Sequence, residues 1–203
     1  MSFYEDIAAG LDAVDIESRA GGGVLFVPIT PELEIQFVEI DPVIPAASVY
    51  IAAADIEDDD DDFNAALVAV VFSAEEAVDA VSRHIATDRV VTLLKDLIDG
   101  YDERIGDLDF SQDEEDTNIV RAEVGGHSAI VVTAEVEDNE PLAYISFISM
   151  PDEEGEGEVL DLGVFRDFDK LFDVISLAAD CADSWEEQLL PIDDGADFPL
   201  SES

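Results

Sequence analysis

Hydrophobic and polar positions change from a strand-like to a helix-like pattern around residue 70. Ala65–Phe72 contains eight consecutive apolar residues, which predicts a β-strand covered on both faces. Ser73 follows as a predicted helix N-cap, and Glu76 stands three residues later, where it completes a capping box. Apolar residues then recur at helical spacing, at Ala77, Val78, Val81 and Ile85. The pattern therefore predicts a buried strand that leads directly into an amphipathic helix.

The segments before this strand predict one helix and three further strands. Residues 2–17 have helical periodicity, with Ser2 and Glu5 as a capping box and Gly10 at a close packing contact. Strands are predicted at Val24–Thr30, Leu33–Asp41 and Val49–Ile56.

Three local irregularities are also predicted in the first hundred residues. Pro28 has no amide hydrogen, which places its strand at a sheet edge. The apolar alternation changes phase along the next strand, which indicates a β-bulge near Phe37 or Val38. The helix that starts after Ser73 is expected to break near residues 86–88, where Thr87 or Asp88 would cap a second helix.

The second half of the chain repeats this layout. Its predicted strands are followed by a long helix that Asp167 caps and Pro191 ends; the ranges are Asn118–Val124, Ala129–Val136, Ala143–Met150 and Val159–Phe165 for the strands and Phe168–Leu190 for the helix. Residue matches at offsets of 90 to 94 suggest an internal duplication: Asp6 with Asp96, Gly10 with Gly100, Asp12 with Asp102, Tyr50-Ile51 with Tyr144-Ile145, and Phe72 with Phe165. Chance similarity in a chain rich in Ala, Asp and Val is the alternative.

These elements predict an α+β fold made of two tandem α-β-β-β-β-α halves. Mostly antiparallel sheets with helices packed on one face are the economical arrangement. The expected domains are residues 1–87 and 88–192, followed by a disordered acidic tail over residues 193–203. The topology is similar to that of small secretion-chaperone-like domains, which implies a chaperone-like role by analogy of layout.

The charge balance narrows the setting in which this chain would fold. The 203 residues include 52 acidic and 8 basic side chains, for a net charge of −44, while 48% of residues are apolar. That apolar fraction predicts a folded protein, and the evenly spread acids are typical of halophilic proteins, whose surface charges concentrated salt screens. We therefore expect a cytoplasmic protein of a salt-accumulating, haloarchaeal type of organism, with potassium or sodium as nonspecific surface counterions. A DNA mimic is the alternative, but it would concentrate its acids on one face.

Several classes of protein are disfavoured by composition. Direct nucleic-acid binding needs clustered Lys and Arg, and the eight cations here are interspersed with acids. Cys181 is the single cysteine, so no intrachain disulfide or cysteine-based zinc cage is expected. No apolar run approaches the length of a transmembrane span, and the acidic N-terminus lacks the pattern of a signal peptide.

Candidate chemical sites each have a simpler structural interpretation. His84 is expected on a helix face and His127 in a turn, and Gly126–Ile130 lacks the final glycine of a nucleophile elbow. Gly21–Gly23 precedes a strand instead of opening a helix, so a flexible turn is expected there and not a phosphate loop. The acid run Glu57–Asp62 lacks the EF-hand spacing. The remaining candidates are Cys181 as a buried thiol, Trp185 as a core residue or a partner contact, and Asp197–Leu200 as a solvated tail or a docking peptide.

The sequence therefore assigns no catalytic, cofactor-binding or metal-binding residue, and we expect no cofactor. A non-catalytic protein-binding, adaptor or chaperone-like function is favoured, with a protein partner and with a homodimer as a further expectation. The alternative is a carboxylate-based enzyme or small-ligand-binding protein with a site between the two halves. Whether the protein is an enzyme is left open by the sequence, although a non-catalytic role is favoured.

Overall fold

The computed structural model of the protein describes residues 2–54, 65–149 and 157–189. These residues form three helices and two five-stranded antiparallel sheets, which confirms the predicted α+β class with its two halves. The predicted acid run Glu57–Asp62 and the tail from residue 193 lie outside the described residues.

The first sheet is a simple meander with strand order β1-β2-β3-β4-β5. Helix α1, Phe3–Asp12, precedes it; the strands are β1 Arg19–Gly21, β2 Val24–Thr30, β3 Leu33–Asp41, β4 Ile44–Ala53 and β5 Ala65–Val71.

The second sheet has the equivalent order β10-β9-β8-β7-β6. Helix α2, Ala74–Asp99, joins the two meanders; then come β6 Phe110–Gln112, β7 Ile119–Val124, β8 Ser128–Glu137, β9 Glu140–Ser149, β10 Val159–Phe165 and helix α3, Phe168–Leu189. Each half therefore has five strands where the sequence pattern predicts four. The additional strands, β1 and β6, are three residues long, too short to show an alternating pattern.

The chain divides into two compact units. One unit comprises Met1–Arg89 with Val136–Glu140, and the other comprises Val90–Glu135 with Pro141–Ser203. The predicted domain ranges 1–87 and 88–192 stay a prediction. Among the described residues, no helix is both long enough and apolar enough to cross a membrane.

The core of the first unit lies between its helices and one face of the first sheet. Alternate residues of the central strands point toward α1 and the start of α2, as the period of two along a strand requires. The buried cluster comprises Ile7, Leu11, Leu25, Val27, Ile35, Phe37, Ala47, Val49, Val71, Ala77 and Val81. Gly10 permits the predicted close contact in this core, because a Cβ atom placed there would lie 3.1 Å from Cγ2 of Val78.

Helix α2 is continuous, so the predicted break near residues 86–88 is wrong. Thr87 does not cap a new helix; its hydroxyl donates a hydrogen bond to the carbonyl of Arg83, one turn earlier, at 2.8 Å. The predicted start of the helix is confirmed, since Oγ of Ser73 accepts from the amide of Glu76 at 3.1 Å. The carboxylate of Glu76 accepts from the amide of Phe72 at 2.7 Å.

Three smaller predictions from the first half are also revised. Helix α1 ends at Asp12 instead of residue 17, and Asp15 has a left-handed backbone with φ 59°. The irregularity in β3 lies between Glu39 and Asp41, not at Phe37 or Val38. Strand β2 is not the edge strand, but β1 pairs only as far as Phe26, so Pro28 lies beyond the paired part.

The two halves correspond strand by strand. Strands β5 and β10 both have seven residues and are offset by 94, while β4 and β9 both have ten residues and are offset by 96. Val68 and Leu162, also 94 apart, are the extra residues of register shifts at equivalent places in the two outer strands. On this alignment Tyr50 corresponds to Ser146 and Phe72 to Arg166. The predicted matches of Tyr50 with Tyr144 and of Phe72 with Phe165 are therefore displaced by two residues and by one.

The strand that the sequence predicts to be covered on both faces is instead an edge strand. Among the strands that the structure describes, β5 pairs only with β4, and most of its side chains are exposed. The apolar run indicates burial because burial on both faces is the usual setting of such a strand. Here one face of β5 contributes to the core through Val71 and the partly buried Ala69, whereas Leu67, Val68 and Val70 are exposed to solvent.

Candidate functional site

The outer strands of the two sheets differ in how they are protected against pairing with another chain. Natural edge strands are usually short or carry charged residues, because their unpaired backbone groups would otherwise recruit a further strand. Strands β1 and β6 have three residues each, and β10 contains the exposed Asp161. Strand β5 has seven residues and no charge, so among the described sheet edges it lacks both protections.

The exposed side chains of β5 are large and apolar. Leu67 is 57% exposed, and Phe72, the next residue after the strand, is 62% exposed. Val68 and Val70 are exposed as well. Leu67 lies directly opposite Tyr50 on β4, so the patch continues from the edge onto the neighbouring strand. We call this surface, formed by Leu67, Val68, Val70 and Phe72, the β5 edge patch.

Strand β10 provides an internal comparison for the β5 edge patch. At an offset of 94, Leu67 corresponds to Asp161 and Phe72 corresponds to Arg166. The second half thus has a charge at each of two positions where the first half has an exposed apolar side chain. Both strands have the same register shift, so the shift does not make one edge better protected than the other. Asp161 and Arg166 do make them different, because these charges protect β10 against pairing with another chain.

The turn between β3 and β4 extends the exposed apolar surface. Val43 in this turn is 90% exposed, and Ile40 and Ile44 are exposed beside it. Val71 pairs with Ala47, so the next residue, Phe72, lies beside the start of β4. A surface cavity of about 240 Å³ adjoins the same turn, between it and the start of α1; its lining includes Phe3, Pro42 and Pro45.

The charge around the β5 edge patch has one sign. The sequence between Arg19 and Arg83 contains fourteen Asp and Glu and no Lys or Arg. The exposed Glu75 follows β5, in the first turn of α2. The exposed Glu32 lies just before β3, two strands in from β5, where its carbonyl accepts from the amide of Ala54 at 2.9 Å. The patch is therefore an uncharged strip within an acidic surface.

The histidines occupy the two places that the sequence predicts for them. His84 is half-buried on α2, where burial and then the neighbouring Arg83 lower the pKa of its imidazole. His127 lies in the turn between β7 and β8, which confirms a hairpin at Gly125–Ser128 and excludes the strand-to-helix geometry of a nucleophile elbow.

The β7–β8 turn binds the carboxylate of Glu186 from α3, a contact that the sequence does not predict. The amide of Gly126 donates to Oε2 of Glu186 at 3.1 Å, and the buried Ser128 hydroxyl lies 3.0 Å from the same oxygen. Burial raises the pKa of the Glu186 carboxyl, but hydrogen bonds from the His127 amide, the Ser128 hydroxyl and the Gly126 amide bring the pKa below its usual value.

This turn does not have the geometry of a catalytic triad. Ser128 is 1% exposed, and its hydroxyl also lies 2.7 Å from the carbonyl of Val124, so its oxygen faces the protein and not a substrate. In a triad the histidine imidazole lies between the hydroxyl and the carboxylate, whereas here the carboxylate contacts the hydroxyl directly. The arrangement is instead a structural connection between α3 and the hairpin.

A second charged cluster surrounds Arg104. Its guanidinium contacts Asp102, Asp169 and Asp173 at 2.7–2.8 Å and lies over the ring of Phe172. Hydrogen bonds from the Arg104 side chain and amide lower the pKa of Asp102 to about 2. Three carboxylates share one cation here, which fits a structural role at the start of α3.

The other candidate residues from the sequence occupy turns, helix faces or packing contacts where they are described. Gly22 and Gly23 form the β1–β2 turn with positive φ values, as expected for a glycine turn. Cys181 is half-buried instead of buried, and Trp185 packs edge-to-face on Phe147 at 5.4 Å. Asp197–Leu200 lies outside the described residues.

Within the described ranges, no group of three or more His, Cys, Asp or Glu side chains is placed to hold a metal ion. Comparisons with protein-family models, with curated proteins and with solved structures find no match to this chain. The β5 edge patch is thus the main functional candidate, and the sequence signal that marks it is the absence of any charge from Ala65 to Phe72.

Proposed function

We propose that this protein is a non-catalytic binding protein of the adaptor or chaperone-like kind, working in the cytoplasm of a salt-accumulating organism. It holds an extended segment of another protein along β5. The observation that carries the proposal is the β5 edge patch, whose exposed residues Leu67, Val68, Val70 and Phe72 belong to or directly follow an uncharged edge strand of seven residues.

Strand addition explains how such an edge would bind a partner. The outward backbone groups of an edge strand supply hydrogen bonds, and alternate side chains of the added strand contact the exposed residues beside it. Carboxylates cover most of the surface of this protein and oppose apolar contact with a partner there. An uncharged strip of this length is therefore the place where such contact is least opposed.

The test is binding of a labelled, neutral peptide of alternating Thr and Val, measured by fluorescence anisotropy in 2 M KCl. The variant carries Leu67→Asp and Phe72→Arg, which introduces the charges that the second half has at the equivalent positions. We expect the wild-type protein to bind the peptide and this variant to lose binding, because charged side chains would block the added strand.

A matched control carries Leu160→Arg and Val164→Asp on β10, where both residues are exposed. It introduces the same two charges, and we expect it to bind like the wild-type protein. Hydrogen exchange should show slower exchange of the amides of residues 65–72 when peptide is present. Equal binding by the two variants, or no binding by the wild-type protein, would show the proposal to be wrong.

A further inference from the structure

We infer that a cavity between α2 and the tip of the β8–β9 hairpin binds a small zwitterion, a free α-amino acid with a short apolar side chain. The cavity measures about 470 Å³, the size of a small-molecule site. Its lining comprises Arg83 and Thr87 on α2 and Val136, Asp138 and Asn139 on the hairpin. Residues Val136–Glu140 belong to the same compact unit as Met1–Arg89, so one unit supplies both walls. None of the lining residues belongs to β5, so this inference goes beyond the proposed function.

Arg83 supplies the cation of this cavity. Among the described residues, no carboxylate lies within ion-pair distance of its guanidinium, although the chain has 52 acidic and 8 basic side chains. Asp79 stands one turn earlier on α2, where a helical ion pair with Arg83 could form. The Asp79 carboxylate instead accepts from the side-chain amide of Asn139 at 3.3 Å. The Arg83 guanidinium therefore keeps its donors for a carboxylate from outside the chain, which it can hold through two N–H groups.

The other polar groups of the lining offer mainly hydrogen-bond acceptors. Asp138 is exposed and presents a carboxylate. The Thr87 hydroxyl already donates to the carbonyl of Arg83 at 2.8 Å, so its oxygen is left to accept from a ligand. Asn139 donates one N–H to Asp79 and keeps its side-chain carbonyl as an acceptor. Such acceptors suit an ammonium group, which has three N–H donors and no acceptor.

A molecule with charges of both signs matches this lining best. A simple anion would be attracted by Arg83 but repelled by Asp138, and a simple cation would meet the opposite combination. A zwitterion can place its carboxylate at Arg83 and its ammonium near Asp138. It has no net charge, so the overall field of a protein with net charge −44 does not repel it. Val136 contributes apolar surface, against which a short apolar side chain would pack.

The experiment titrates isotope-labelled protein with three small molecules by NMR, at the lowest KCl concentration that keeps the protein folded. The probes are L-valine, isovalerate, which is L-valine without its ammonium group, and isobutylamine, which is L-valine without its carboxylate. We expect L-valine to shift the amide signals of residues 136–139 and the side-chain amide signal of Asn139. Isovalerate and isobutylamine should each bind about tenfold more weakly, because each leaves one charged group of the cavity without its partner.

Two charge variants test the roles of the cation and the acid. Arg83→Gln should weaken the binding of L-valine about tenfold, and Asp138→Asn should weaken it about fivefold. Residue 138 has a left-handed backbone with φ 50°, which Asn adopts as readily as Asp. The matched controls are Lys95→Gln, which removes an exposed cation from the same helix, and Asp107→Asn, which removes another exposed acid. Neither control residue lines the cavity, so both controls should bind L-valine like the wild-type protein.

Three results would overturn this inference. They are the absence of any response of residues 136–139 to L-valine, binding of either analogue as tightly as L-valine, and an equal loss of binding in Arg83→Gln and Lys95→Gln. The variant with Leu67→Asp and Phe72→Arg should bind L-valine like the wild-type protein, because those residues lie outside the cavity lining. The failure of this inference would therefore leave the proposed function standing, and the reverse also holds.

Discussion

Carboxylates are the commonest charged side chains in this chain, and among the residues that the structure describes two of them, Glu34 and Glu186, are buried. Each has specific donors. Glu34 accepts from Arg19 and from the amide nitrogen of the Gln36 side chain, both at 2.9 Å, and Glu186 accepts from the β7–β8 turn. A buried charge is tolerated only when such partners replace water. At the residue scale, the role of a carboxylate therefore depends on the hydrogen-bond donors around it. The amino-acid composition does not indicate where those donors lie.

The Glu186→Gln substitution tests the connection between α3 and the β7–β8 turn. An amide would direct its NH₂ group at backbone donors, so we expect the free energy of unfolding to fall by about 2 kcal/mol. Trp185 is the only tryptophan and lies next to Glu186, so its fluorescence during urea unfolding reports on this region. The exposed neighbour provides a control, since Glu187→Gln should change the unfolding free energy little.

The effect of Glu186 should depend on pH in a defined direction. The pKa of Glu186 is lower in the folded protein than its ordinary value of 4.5, so its contribution is fully present above that pH and is lost as the pH falls through the folded-state pKa. The difference between the wild-type protein and Glu186→Gln should therefore be constant above about pH 5.5 and shrink below pH 4.5. A difference that grows toward acid would contradict the interpretation.

At the scale of elements, helix packing depends on local fit as well as on periodicity. Helix α1 packs on α2 at Gly10, where a Cβ atom would lie 3.1 Å from Cγ2 of Val78, closer than an ordinary van der Waals contact. Helix α2 continues through residues 86–88, and the Thr87 hydroxyl donates to the carbonyl of Arg83 within the helix instead of capping a new one. Capping residues mark the start of α2 correctly, but the same residue types inside a helix gave a wrong boundary.

The Gly10→Val substitution tests the contact between α1 and α2. Its side chain would overlap Val78, so we expect the free energy of unfolding to fall by about 1–3 kcal/mol. Ala9 is exposed on the same helix, so Ala9→Val should cost only its helix propensity, about 0.5 kcal/mol. Thermal unfolding followed by circular dichroism measures both. Equal destabilisation by the two variants would show that the contact at Gly10 is not tight.

At the scale of the whole molecule, the net charge of −44 sets the conditions for folding. Like charges on the surface repel over the Debye length, which falls from about 10 Å at 0.1 M salt to about 3 Å at 1 M. We therefore expect the free energy of unfolding to rise steadily between 0.1 and 3 M KCl, and part of the protein to unfold at the lowest salt. Circular dichroism and Trp185 fluorescence along a KCl series measure this.

Uncharged solutes and substitutions provide controls for the salt effect. Sucrose at matched osmolality should stabilise the protein less than KCl, because it excludes volume without screening charge. Replacing exposed acids by Gln, for example at Glu114, Glu115 and Asp116, should move the folding transition to lower salt. A protein that is equally folded in salt-free buffer would rule out screening as the basis of its stability.

The sequence by itself determined the α+β class, the doubled layout, most strand positions and the starts of α2 and α3. These follow from the period of side chains along strands and helices and from capping residues, which are local properties. It did not reveal the three-residue strands β1 and β6, since pairing across the sheet defines them, or the contacts of Glu186, since 52 acids give no single one a signal.

Only the tertiary structure decided that Ala65–Val71 is an edge strand. An uncharged apolar run is compatible with a central strand and with an unprotected edge, because neighbours along the chain do not specify which strands pair. Strand order made the difference: β5 ends its sheet, so a run that resembles a buried strand became an exposed one. The proposed binding surface is the consequence of that placement.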